Sequence, residues 1–167
     1  MRRTIVAVIV LTGLAALVLG CGRTQVTQST PGGKVTVTKS ATGKVEGMKV
    51  ESKEGTYTSS VGSGKTLTEA EVGAPVYPGA TEAMAGSFAG NKMAGQPGFS
   101  QHILTTGDSF DKVAAFYKSH LKNIKSQNEF GAGAGKIAMF VIGEGEMVQV
   151  TMDTKEKRTM IHVMVKQ

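Results

Sequence analysis

The chain is poor in the residues that most often carry chemistry. Its 167 residues hold one cysteine, no tryptophan, four prolines, three tyrosines and six phenylalanines. A single cysteine excludes an intramolecular disulfide, even in a compartment that permits one. So few aromatics leave little to build a stacking platform for nucleic-acid bases. Lys and Arg number 19 against 13 Asp and Glu, a formal net charge of +6. The lysines are spread along the chain rather than clustered, so they read as solvated surface and not as a nucleic-acid footprint.

The chain has one long apolar stretch, and it lies at the start. Arg2 and Arg3 precede the apolar run Ile5 to Leu11; after Thr12 and Gly13 come Leu14 to Leu19, then Gly20 and Cys21. A positive start, an apolar middle and small residues at the cut mark a secretory signal. About 15 apolar residues fall short of the ~20 that span a bilayer, which weighs against a transmembrane anchor. An ordinary signal peptide with an incidental cysteine is the other alternative. It would leave a free reactive thiol in an exported protein.

The tetrapeptide Val18-Leu19-Gly20-Cys21 resembles the lipobox of bacterial lipoproteins. That resemblance implies cleavage after Gly20, diacylglycerol on the Cys21 sulfur and acylation of the new N-terminus. Residues 1–20 are then a lipoprotein signal peptide, and the anchor in the lipid bilayer is Cys21. Loss of Arg2 and Arg3 lowers the net charge to about +4. Gly22, where some lipoproteins carry Asp, favours the periplasmic face of the outer membrane by the same resemblance.

Residues 21–34 are small and polar and read as a flexible tether, with a reach on the order of 20 Å. Residues 35–66 alternate weakly around Val35–Thr38, Lys44–Glu51 and Thr56–Val61, separated by turn residues. They predict a weakly ordered β-hairpin region. Residues 67–167 predict an α+β domain. A helical turn is expected at 67–72, with Thr68 as its cap. Val76 and Tyr77 stand between two prolines and read as extended chain leading into the domain. Residues 89–98 read as a loop and Phe99–Thr106 as a strand.

Phe110, Val113, Ala114, Tyr117 and Leu121 have helical spacing, so a helix is expected over 108–122 with Asp108 as its N-cap. Strands are expected at 126–130, 136–142, 146–153 and 158–166, joined by short connections. The fold class expected is therefore α+β: an antiparallel sheet with one main helix packed on it, preceded by weak hairpins and the tether. Val76-Tyr-Pro-Gly-Ala80, Thr106-Gly-Asp108 and Val113-Ala-Ala-Phe-Tyr117 resemble segments of uncharacterised domains in bacterial lipoproteins. The resemblance would cover residues 73–167 and implies no activity.

Candidate chemistry is sparse. Gly131 to Lys136 suggests a phosphate loop, but Phe130 and Ile137 stand where that motif needs Gly and Ser/Thr, and a strand should follow. Met160, His162 and Met164 fall on one face of the last expected strand and offer soft ligands for Cu(I). Residues two apart on a strand are nearly 7 Å apart, so one strand alone cannot surround a metal; they remain weak candidates. His102, His120 and His162 lie on different elements, and no nucleophile elbow appears. No cofactor is expected. The function expected is a non-catalytic, lipid-anchored envelope protein that binds another protein or an envelope component. A sheet edge or the basic side of the helix would serve as the contact. A small-ligand or copper-binding module is the alternative, and a cryptic hydrolase a less favoured one.

Overall fold

The computed structural model describes residues 22–90, 97–131 and 135–167. Cys21, the expected lipidation site, and the expected signal segment before it therefore lie outside the described residues. In chain order the elements are β1 (Thr24–Thr30), β2 (Gly33–Lys39), β3 (Val45–Ser52), β4 (Gly55–Val61), α1 (Glu69–Val72), β5 (Thr81–Gly90), β6 (Phe99–Thr106), α2 (Phe110–His120), β7 (Ser126–Phe130), β8 (Ile137–Gly143), β9 (Glu146–Asp153) and β10 (Arg158–Lys166). All ten strands join one antiparallel sheet in the order β1-β2-β3-β4-β5-β6-β10-β9-β8-β7. The fold is mostly β, which corrects the α+β expectation.

Two segments account for the correction. The expected tether contains β1, all of whose residues pair with β2 in continuous register from Thr24↔Lys39 to Thr30↔Gly33. Its side chains are almost all exposed, so cross-strand hydrogen bonds rather than burial place it. The second segment is β5, Thr-Glu-Ala-Met-Ala-Gly-Ser-Phe-Ala-Gly, which sequence reasoning did not find. Ala and Gly are poor strand formers, yet β5 pairs with β4 on one side and β6 on the other. It thereby fuses the hairpins of residues 35–66 and the C-terminal strands into a single sheet. The two helices among the described residues are local covers on that sheet, not a layer equal to it.

The core lies on one face of β6, β10, β9 and β8. Two cross-strand rungs define it: Leu104–Ile161–Val150–Ala138, and the neighbouring Val163–Val148–Phe140. Every side chain in both is fully buried. Phe110, Val113, Ala114 and Tyr117 of α2 close over them at helical spacing, and Leu67, Val72, Tyr77 and Ala80 complete the cover. Thr68 caps α1 through a reciprocal capping box with Glu71, as the Thr-x-x-Glu spacing implies. Gly73 ends α1 in the left-handed conformation, with φ 77°.

The N-cap of α2 is Ser109, which makes no side-chain capping bond, and not Asp108. Asp108 is held elsewhere. Its carboxylate accepts from the Tyr77 hydroxyl at 2.8 Å and from Lys112 at 3.3 Å. Its backbone carbonyl accepts from Thr159 Oγ1 at 2.6 Å, and its amide donates to Thr106 Oγ1 at 3.3 Å. Phe116 stands edge-on to both Tyr77 and Tyr117, at 5.2 Å each. Tyr77, Asp108 and Thr159 thus tie the 73–80 loop, the start of α2 and β10 together at one structural joint.

Candidate functional site

The sheet face that β8–β10 bury under α2 runs on across β6, β5 and β4, where among the described residues Glu71 of α1 is the one helical residue bordering it. There its chemistry changes from aliphatic to hydroxyl. The register sets Thr58 beside Ser87 beside Ser100, and Ser60 beside Ala85 beside His102. These residues line an open groove of about 350 Å³, bounded by Glu71 of α1 and by Gln167. Thr58 and Ser87 share a hydroxyl–hydroxyl bond of 2.6 Å.

His102 is the group with most to offer in this groove. Its Nδ1 lies 3.1 Å from Glu82 Oε1, and the two side chains are only 14 % and 10 % exposed. Glu82 reaches that position because the β5–β6 register shifts between Glu82 and Met84. A carboxylate on Nδ1 fixes the ring orientation and leaves Nε2 for a ligand. Nε2 has no hydrogen-bond partner among the described residues, and no Ser or Thr hydroxyl is bonded to it. The arrangement is therefore a positioned imidazole beside a row of hydroxyls, without an activated nucleophile. Sequence reasoning assigned no role to the Glu82–His102 pair. The two residues are 20 apart, and only the β5–β6 register joins them.

The residues singled out from sequence fall elsewhere. Met160, His162 and Met164 do share one face of β10, on the opposite side of the sheet from the groove. His162 is opposite Gln149 of β9, and Met164 is opposite Met147. Met139 of β8 sits on the rung of His162, one strand beyond Gln149. The His162 Nε2 atom is buried without a hydrogen-bond partner among the described residues, and burial holds the ring below the usual histidine pKa. No cluster of three or more His, Cys, Asp or Glu residues suited to a metal occurs among the described residues. The Gly131–Lys136 segment joins β7 to β8, with a strand after it; residues 132–134 lie outside the described residues. His120 stacks on Phe116 at 4.1 Å on the exposed side of α2.

The chain matches no protein-family model, and no curated protein or solved structure is significantly similar to it.

Proposed function

We propose that this is a lipid-anchored protein of a bacterial envelope, held by diacylglycerol on Cys21, whose domain binds an envelope component without catalysing its conversion. The observation that carries the binding half is the groove around His102. It offers an imidazole with one nitrogen clamped by Glu82, hydroxyls from three adjacent strands and an open mouth. Such a surface suits a neutral, hydroxyl-rich ligand such as a glycan segment, which trades hydrogen bonds with water for those with Nε2 and the hydroxyls. A fully apolar pocket would reject that ligand through unpaired polar groups.

The test is a titration of the mature protein with soluble envelope glycan fragments, followed by melting temperature and by histidine NMR signals. The expected result is a ligand-dependent rise in melting temperature with movement of the His102 signals, both lost in His102→Ala. A rise that survives His102→Ala, or no response to any fragment, would remove the groove from the account.

A second reading is favoured by the orphaned His162 Nε2. Met164 and Met147 are cross-strand partners on this face, so its thioether donors come from two strands and not one. Cu(I) prefers such thioether and imidazole donors. Competition against a Cu(I) chelator should then give one tight site that His162→Ala abolishes. Absence of competition would retire copper.

A further inference from the structure

Folded structure begins almost at the anchor. Arg23 Nε already pairs with Glu46 at 2.9 Å, and β1 starts at Thr24. From Cys21 to Thr24 a chain covers at most about 10 Å. A lipid on Cys21 therefore brings the first rungs of β1–β4 to the headgroup region, with no slack for the domain to swing away.

Those rungs have an unusual surface. Val26, Val45, Met48 and Val61 are 42 %, 47 %, 37 % and 51 % exposed, and they are four of the six large hydrophobics exposed among the described residues. Val45 begins β3 and Val61 ends β4 on the side where β1 begins, and Val26 and Met48 lie two rungs further in. Val26 and Met48 share a rung through Val37, and Val61 closes β4 at the same level as the first residues of β3. Lys39 ends β2 and Lys44 precedes β3, and neither makes an ion pair among the described residues. Exposed aliphatics rimmed by lysine mark a surface that lies in a membrane interface. Each lysine near an anionic leaflet adds attraction of its own.

We propose that this end of the sheet is a membrane-contact surface. Val26, Val45, Met48 and Val61 sink among the headgroups of the bilayer that holds Cys21, while Lys39 and Lys44 face its anionic lipids. The domain is then held in one orientation, and the β3–β4 turn at the opposite end of those strands points away from the membrane. The proposal rests on the lipid-anchor reading and goes beyond it, since an anchor alone needs no second contact.

The absence of tryptophan makes the test direct. Val61→Trp, Val45→Trp and Glu54→Trp each introduce a single reporter, the last in the β3–β4 turn. The lipidated proteins are placed in vesicles of phosphatidylethanolamine and phosphatidylglycerol with brominated acyl chains. Intact mass of the same samples reads the acyl groups on residue 21. The expected result is quenching of roughly twofold or more at positions 61 and 45 and little at 54. Quenching at position 61 should weaken when Lys39→Glu and Lys44→Glu are added. Acylated protein in which all three reporters quench alike, or none does, overturns the contact surface and leaves the anchor standing. Protein without the acyl mass overturns both.

Discussion

Replacing Tyr117 by Phe should make the protein more stable. Tyr117 is fully buried at the centre of the α2–sheet contact, edge-on to Phe116 at 5.2 Å and near Phe140 at 6.5 Å. Its hydroxyl is buried without a hydrogen-bond partner of good geometry among the described residues. Burial pushes that hydroxyl far above the usual tyrosine range, and the Tyr77 backbone opposes the shift only in part. A buried polar group left unpaired costs roughly 1–3 kcal/mol. Phe keeps the ring and its contacts and removes only the oxygen. The void left is about one atom, whose cost offsets part of the gain. The balance is a gain of about 1 kcal/mol, or a rise of about 3 °C in melting temperature for a chain of this size.

Tyr77→Phe deletes the same atom from a tyrosine whose hydroxyl donates to Asp108 at 2.8 Å. It should destabilise. Urea unfolding of the mature protein, followed by circular dichroism with the slope checked for constancy, reads both. A fall in the midpoint for Tyr117→Phe would refute the reasoning. It would mean that the hydroxyl is satisfied, through the Tyr77 amide or a buried water, and contributes to the fold.

Acid should weaken the fold in two windows. His162 is held below its ordinary pKa by burial, so protonation favours the unfolded chain. Its contribution is complete above about pH 6.5 and declines as pH falls toward its lower folded value. His162→Leu should flatten that limb of the stability–pH curve. Asp108 is lowered by the Tyr77 hydroxyl and then by Lys112, so its contribution persists above the ordinary aspartate range and is lost as pH drops through its depressed value. Asp108→Asn should abolish that second, more acidic limb while leaving the first. Gly62→Ala would drive a Cβ into the Glu82 carbonyl oxygen and set it 2.6 Å from the Ala83 carbonyl carbon. It should cost on the order of 1–3 kcal/mol in the same unfolding assay. Gly32→Ala, with no atom within 4 Å of the new methyl, should be close to neutral; equal losses at the two sites would contradict the close β4–β5 approach.

What was legible in the sequence followed local pattern. Phe110, Val113, Ala114 and Tyr117 place α2 through their spacing, and Thr68 with Glu71 places α1 through its cap. Strands β6, β7, β9 and β10 lie where alternation and turn residues put them. The architecture was not legible, because two strands carry no apolar alternation. Most of β1 is exposed, so no buried face marks it. In β5, a Cβ on Gly86 would come within 2.9 Å of Gln101 Nε2 and press on the amide that donates to the Tyr57 hydroxyl. No alternation marks residues 81–88 as a strand, and it is pairing with β4 on one side and β6 on the other that places them in the sheet. The groove shared that fate. Glu82 and His102 meet only through a register shift between β4's neighbour and β6, and no one-dimensional spacing encodes it.

The most direct test of the central claim is the chemical state of residue 21 in the protein made by its own kind of cell. Cells fed a labelled fatty acid should yield a mature chain that begins at Cys21 and carries label on that residue. Cys21→Ala should lose both the label and the cleavage after Gly20. A chain that retains residues 1–20, or begins elsewhere with an unmodified thiol, would contradict the lipid anchor and the membrane orientation built on it.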